Sequence, residues 1–261
     1  MQKIENDVAL NMIANEGISY VIETDSLRYL IGDDEKVSCY KSEDGKLLVT
    51  HYENDHVNFI TIITLAPTFE IEKLKDWLKS TFDNLSILIN VKRVNDDFKK
   101  ILISSFSDMA KYKSTMVDYA FVSEISTADI PNDIKILDES FRDDFEKSFG
   151  EKIENRPSGK LLFDMFVRKK QGYILGAFEG SRLVGYLSFN EISSSVFDVD
   201  YIYVLPSERL KGFGGKMAEA YVHFSEEQKH VAYWSNALNN ASINTALKVG
   251  FELIREVYKF C

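Results

Sequence analysis

Apolar residues recur at two spacings along this chain, and the spacing changes wherever turn-forming residues intervene. In Asn6–Glu16, the residues Val8, Leu10, Met12 and Ile13 stand among polar neighbours, which predicts a short helix. Strand-like segments follow. Leu27–Ile31 and Val37–Tyr40 flank the turn Gly32-Asp33-Asp34. The turn Ser42-Glu43-Asp44-Gly45 closes a hairpin onto Leu47–Tyr52, because Asp-Gly favours the positive φ of tight hairpin turns. Asn58–Leu65 is a β-rich run stopped by Pro67. In Phe69–Phe82 the spacing of Ile71, Leu74, Trp77 and Leu78 predicts a helix, with Thr68 as its N-cap. Ser86–Val91 predicts a strand and Asp96–Ser104 a helix. These elements make residues 1–115 one α/β unit.

A polar stretch, Lys111–Asp118, marks the boundary, with no proline or glycine linker. The second unit is expected over residues 116–261. It begins with a strand at Tyr119–Glu124, followed by amphipathic helices at Ile134–Phe149 and Lys160–Lys169. Tyr173–Phe178 and Leu183–Asn190 form a hairpin across Glu179-Gly180-Ser181. Then come a strand at Val196–Leu205, a long helix at Gly212–Gln228 and a strand at His230–Ser235. A helix at Asn240–Val249 and a strand at Phe251–Phe260 end the chain. The order β-α-α-β-β-β-α-β-α-β contains more antiparallel pairing than a doubly wound fold, so the expected class is α/β with a mixed, α+β-like sheet. No repeat shows in the residues. A degenerate copy of the second unit in the first is open on topology alone.

Composition narrows the function classes. The chain has 261 residues and a net charge of −10, and no stripe of Lys or Arg appears. Nucleic acid and anionic membrane are therefore poor partners. No apolar run approaches the roughly 20 residues of a membrane helix. The segment Met1–Asp7 is polar and lacks a basic and apolar leader pattern, which predicts an unexported, cytoplasmic protein. Cys39 and Cys261 are two cysteines far apart in the chain, expected as free thiols. His51, His56, His223 and His230 follow no ligand spacing, so no metal is expected.

One segment carries recognisable chemistry. In Val204-Leu205-Pro206-Ser207-Glu208-Arg209-Leu210-Lys211-Gly212-Phe213-Gly214-Gly215 a strand ends, the chain turns, and a glycine-rich loop opens a helix. Such a loop offers backbone N–H groups and the positive end of a helix dipole to a phosphate. Glycines allow close approach, and Arg209 and Lys211 add positive charge. Two phosphate motifs fail here. The residue five before Gly215 is Leu210, and Met217 stands where a P-loop needs Ser or Thr. Met217 also occupies the third small position of a dinucleotide fingerprint. Arg-x-x-Gly-x-Gly survives.

With that loop the chain resembles the GCN5-related N-acetyltransferase (GNAT) family. Three further stretches agree in order and spacing: Asn239-Asn240-Ala241-Ser242-Ile243, Lys248-Val249-Gly250-Phe251, and the hairpin Gly176–Gly185 with its Val184-Gly185 pair. The resemblance covers roughly residues 118–261. Trp234 ahead of Asn239-x-x-Ser is similar to a bacterial subgroup with an extra N-terminal α/β domain. It implies a GNAT acyl-CoA N-acyltransferase fold preceded by a smaller α/β domain. It further implies acetyl-CoA as cosubstrate and direct attack by an amine on the thioester, without a covalent enzyme intermediate. The pyrophosphate would sit on Arg209, Leu210, Lys211, Gly212, Phe213, Gly214 and Gly215. The pantetheine arm would meet Tyr203, Val204, Asn239 and Ser242, between splayed strands Val196–Leu205 and His230–Ser235. The Val204 N–H would hold the thioester oxygen as it gains charge.

A protonated amine must lose a proton before attack. Asp198 is the candidate base, eleven residues before Arg209, where many members carry a strand glutamate. Its shorter side chain suggests a water relay. Strict alternation would put Asp198, Asp200, Ile202 and Val204 on one face. Glu191 is second choice. Ala246 stands where the family often has a tyrosine that protonates the leaving thiolate; Tyr201, Tyr203, Tyr233, Tyr258 or water are the substitutes. That loss feeds a rival reading, a non-catalytic acyl-CoA-binding sensor or interaction module. The acceptor is not coded legibly. Asp138, Glu139, Asp143 and Asp144 read as the wet face of a helix. Residues 1–115 have no assigned role, with homodimer formation among the options.

Overall fold

The computed structural model describes residues 1–15, 37–53, 58–65, 70–82, 86–91, 96–107, 109–121, 130–150, 157–236 and 239–260. They form two compact units. The first comprises Met1–Asp118, 236–238 and Leu253–Cys261; the second comprises Tyr119–Ser235 and Asn239–Glu252. The expected strand Leu27–Ile31 lies outside the described residues, as does Cys261.

In the first unit the elements are β1 (Gln2–Ile4), α1 (Asn6–Ala14), β2 (Val37–Lys41), β3 (Leu47–Glu53), β4 (Asn58–Thr64), α2 (Ile71–Thr81), β5 (Ser86–Val91), α3 (Asp96–Ser107) and β6 (Tyr112–Phe121). Strands β1 to β4 pair antiparallel in sequence order, and β4 pairs β5 in parallel. Alternation in β3 splits its side chains between two cores. Leu47 and Val49 join Ile60, Ile62, Ile87 and Ile89 against Leu74 and Leu78 of α2 and Leu102 and Phe106 of α3. Leu48 faces the other way, with Ile63, Cys39 and Ile13 of α1.

The second unit contains β7 (Ile134–Ile136), α4 (Arg142–Phe149), α5 (Gly159–Phe163), β8 (Tyr173–Glu179), β9 (Arg182–Ser193), β10 (Val196–Val204), α6 (Phe213–Glu227), β11 (Val231–Asn236), α7 (Asn240–Val249) and β12 (Phe251–Phe260). Strands β7 to β10 pair antiparallel in sequence order, and β10 pairs β11 in parallel. One sheet face carries α4 and α5, through Phe145 and Phe149 against Tyr186. The other carries α6, through Phe224 against Phe189 and Phe197. The end of β12 belongs to the first unit, where Glu256–Phe260 pair antiparallel with Ile87–Val91 of β5.

One sequence expectation needs correction. The predicted helix Ile134–Phe149 begins as a strand, because Ile-Lys-Ile alternates and pairs with Leu175–Ala177. The helix proper starts at Arg142, after a 3₁₀ turn capped by the Asp138 carboxylate. The polar stretch Lys111–Asp118, where the boundary was expected, lies largely within β6, and the first unit's main segment ends at Asp118. Its two buried polar residues are paired: Asp118 accepts from Arg255 at 2.6 Å, and Thr115 bonds the Tyr112 hydroxyl at 2.6 Å. Paired polar groups tolerate burial that isolated ones do not. Among the described residues no helix is long and apolar enough to cross a membrane.

Candidate active site

The glycine segment folds into the turn its composition predicts. After β10 the Leu205 N–H bonds the Val184 carbonyl, and Pro206–Glu208 form one 3₁₀ turn. Leu210 and Gly212 then take positive φ, 66° and 90°. Leu210 accepts this rarely used conformation with its side chain wholly exposed. Gly212 is the N-cap of α6, and the first intrahelical bond is Lys216 N–H to Gly212 C=O. The N–H groups of Phe213, Gly214 and Gly215 precede that bond, so the helix itself cannot satisfy them. They open on a pocket of about 700 Å³. Its walls include Ile202, Tyr203, Val204, Arg209, Asn239 and Ser242. A Cβ on Gly214 would touch Thr245 at 3.7 Å and Ile202 at 3.9 Å, ordinary van der Waals contact without a clash.

The two loop cations differ. Arg209 donates to the Val204 carbonyl at 3.2 Å, lies 5.7 Å from the Tyr203 ring centre and makes no ion pair among the described residues. Lys211 is bound by two carboxylates, Glu208 at 2.6 Å and Glu179 at 2.8 Å. Arg182 holds the same two acids, at 2.5 and 2.9 Å. Glu208 is 4% exposed. Hydrogen bonds from Lys211, then Arg182 and Ser207, hold its carboxyl down to about 2. The expectation that Lys211 adds free positive charge is therefore corrected. It ties the loop to the β8–β9 turn.

Strand β10 has an extra residue. Val199 opposes Phe189 and Tyr201 opposes Ser188, so Asp200 has no partner on β9. A bulge of this kind shifts the alternation by one. The expected single face of Asp198, Asp200, Ile202 and Val204 is thus divided. Asp198, opposite Asn190, shares a face with Tyr201 and Tyr203; Ile202 and Val204 lie on the face of α6. Since Leu205 bonds β9, the backbone groups of Ile202 and Val204 point to the opposite edge of β10.

At that edge β10 and β11 separate. Their parallel pairing runs through Val196–Val231, Phe197–Ala232 and Asp198–Tyr233, and among the described residues it goes no further. Asp198 accepts the Ser235 N–H at 2.9 Å and the Ser235 hydroxyl at 2.6 Å. Asp200 makes no hydrogen bond or ion pair among the described residues. Its tip reaches solvent, but the protein packed around it disfavours the charged form and pushes its carboxyl up to about 6.

Residues 134–251 match the model of the acetyltransferase (GNAT) family. This segment is a GNAT-family domain. Similar folds extend over the whole chain. A GNAT-family acetyltransferase from Colwellia psychrerythraea aligns with 99% of this chain and 98% of its own, at 13% identity and a TM-score of 0.53. A Drosophila protein aligns with 100% and 98%, at 14% identity and a TM-score of 0.51. A GCN5-related N-acetyltransferase from Sphaerobacter thermophilus aligns with 99% and 94%, at 11% identity and a TM-score of 0.51. No curated protein matches the chain.

In the GNAT domain Asn239 caps α7, its side-chain oxygen accepting from the N–H groups of Ala241 and Ser242. The Ser242 hydroxyl accepts the buried Trp234 indole N–H at 3.0 Å. Both residues line the pocket, and these side-chain bonds are internal to the protein. Ala246 is fully buried. Of the tyrosines proposed to replace it, Tyr258 sits in the first unit's core with its hydroxyl on Glu256. Tyr201 and Tyr203 share the face of Asp198. Among the described residues no group of three or more His, Cys, Asp or Glu is placed to hold a metal ion. Sequence reasoning missed the bulge at Asp200 and the contact of Ser235 with Asp198.

Proposed function

We propose that the protein transfers an acetyl group from acetyl-CoA to a primary amine of a small molecule or peptide by direct attack. The observation that carries this reading is the exposed β10 edge, which runs from the bulge at Asp200 to the free N–H groups of Phe213–Gly215. The pyrophosphate meets those N–H groups and Arg209. Tyr203 and Val204 lie along the pantetheine arm, and Asn239 and Ser242 flank it. The Val204 N–H takes the thioester oxygen as charge builds there. The proton of the acceptor ammonium goes to Asp200. A carboxyl at about 6 is close to working pH, which suits a general base. Asp198, the base expected from strand position, has both oxygens on Ser235. As the nitrogen–carbon bond forms and the carbon–sulfur bond breaks, the thiolate leaves to take a proton from water or a nearby tyrosine.

The second reading, an acyl-CoA-binding module without turnover, is favoured by one observation, the alanine at 246. Thiol release from acetyl-CoA with a panel of primary amines separates the two. Amine-dependent release that Asp200→Asn slows supports the enzyme. Acetyl-CoA binding with no release for any amine class supports the module.

For the first unit we propose a degenerate copy of the same fold. Its strands β1 to β5 have the order and sense of β7 to β11. The segment Leu65–Glu70, which corresponds to the glycine loop, contains no glycine. A cytoplasmic location and a role for this unit in dimerisation belong to the same reading.

A further inference from the structure

Leu210 combines two features that rarely meet. Its φ of 66° strains a bulky side chain and suits glycine, which the chain does use two residues later at Gly212. Its side chain is wholly exposed, so no burial within the protein offsets the strain. Strain kept in a binding loop points to a role with an occupant present. Leu210 lines the pocket of the glycine loop. The segment is fixed on both sides of it, by the Arg209 bond to the Val204 carbonyl and by the Lys211 ion pairs with Glu179 and Glu208. Helix α7 supplies a second marker at the same pocket. It starts beside β11, where Ser242 accepts the Trp234 indole N–H. It passes the glycine loop at Thr245, whose methyl carbon would stand 3.7 Å from a Cβ on Gly214. Ala241, Thr245 and Lys248 follow at intervals of four and three residues, so they share one helix face, and all three line the pocket. Lys248 lies roughly 5 Å beyond Thr245 along the helix axis. It is exposed and makes no ion pair among the described residues.

We infer that Leu210 and Lys248 seat the nucleotide end of the acyl donor, Leu210 against the adenine base and Lys248 on the ribose phosphate. This rests on the acyl-CoA reading above. With the pyrophosphate on the first-turn N–H groups and the pantetheine arm along β10, the adenosine leaves the pocket on the side away from β10. Lys248 stands on that side, beyond Thr245, and the wholly exposed Leu210 stands at the mouth. Arg209 and Lys248 are the two cations that line the pocket among the described residues. One serves the pyrophosphate and the other the remaining phosphate. The base gives Leu210 an apolar surface to cover, which offsets in the complex the strain that the free protein carries. The seat makes the protein selective for a nucleotide-bearing thioester over one that ends at phosphopantetheine.

The test uses the full chain and titration calorimetry with three donors: acetyl-CoA, its 3′-dephospho form and S-acetyl-4′-phosphopantetheine. The unmodified protein should bind them in that order, tightest first. Leu210→Gly and Leu210→Asn both accept a positive φ, so the melting temperature without ligand should hold or rise. Both variants should weaken the two nucleotide donors about fivefold or more and leave the phosphopantetheine thioester within about twofold. Lys248→Met keeps the aliphatic stem and removes the charge. It should weaken acetyl-CoA about threefold or more and leave the dephospho form unchanged. A lysine that only complements the helix dipole would shift the melting temperature and treat both donors alike. Equal loss on all three donors, or no loss, at either position overturns the inference. So does a lower ligand-free melting temperature in both Leu210 variants, since Leu210 would then serve the free protein. If the unmodified protein binds the three donors equally, this inference falls and the acyl-CoA reading stands. If it binds none of them, that reading fails and takes the inference with it.

Discussion

Among the described residues, the parallel pair β4–β5 in the first unit stays closed, whereas the parallel pair β10–β11 in the second opens. In the first unit β4 and β5 pair without interruption from Phe59–Ser86 to Ile63–Asn90. Ile60, Ile62, Ile87 and Ile89 from these strands are all buried to within 1%. In the GNAT domain β10 and β11 pair over three positions and then separate. Polar groups at the end of the pairing include Asp198, Asp200 and Ser235. A ladder closed by matched backbone groups and aliphatic faces stores stability. One interrupted by a bulge and by side-chain acceptors leaves backbone donors for something else to meet. The same topology thus supplies a scaffold in one unit and a candidate site in the other.

That contrast can be broken most forcefully from the closed side. Ile62→Asp places an unpaired carboxylate in the first unit's core, which should cost several kcal/mol and unfold this unit rather than open a fork there. Circular dichroism melting checks it; a folded variant of unchanged stability contradicts the closed-ladder account. Next in size is Gly214→Val. A Cβ there makes only ordinary contact with Thr245 and Ile202, which predicts a folded protein, whereas a branched side chain over the N–H groups of the first turn should lower acetyl-CoA affinity at least a hundredfold. Ligand titration of both proteins decides that point.

Asp200→Asn should lower kcat/KM by roughly 10²–10⁴, the usual contribution of a general base. In the unmodified protein the rate should rise with pH through about 6, the value to which burial pushes this carboxyl. The variant should lose that limb. Stability carries the opposite sign. The folded state binds a proton more tightly than the unfolded chain between the ordinary value, 3.8, and about 6. Stability relative to Asp200→Asn should therefore fall as pH rises through that window. The smallest effect is expected at the loop's ion network. Glu208 is held down to about 2 from an ordinary 4.5. Its contribution is present above 4.5 and lost as pH falls toward 2. Glu208→Gln should be less stable at pH 7, with the difference shrinking on acidification, as melting curves at stepped pH would show.

Much of the second unit was legible because its signals are local. The glycines, the Asp-Gly and Glu-Gly-Ser turns and the Asn239 cap each act within a few residues. The mixed sheet followed from element order. Tyr203, Val204, Asn239 and Ser242, singled out by motif spacing, line one pocket with the glycine loop. What escaped depends on long-range pairing. Nothing in Val-Phe-Asp-Val-Asp-Tyr-Ile-Tyr-Val announces that Asp200 is the extra residue, because a bulge exists only relative to the register of β9. The burial of Asp118 was not legible locally, because its partner Arg255 lies far along the chain. Lys211 looked like a phosphate cation until Glu179 and Glu208 were found on it.

The central claim is that acyl-CoA binds at the interrupted ladder and glycine loop of the GNAT domain. Thermal unfolding of the full chain with acetyl-CoA, CoA, ATP or NAD added separately tests it most directly. A ligand at 100 times its dissociation constant adds about 2.7 kcal/mol. The account predicts a rise of that order with acetyl-CoA and CoA, none with ATP or NAD, and none in Gly214→Val. Stabilisation by ATP or NAD instead of the CoA species, or a CoA effect that persists undiminished in Gly214→Val, would contradict it.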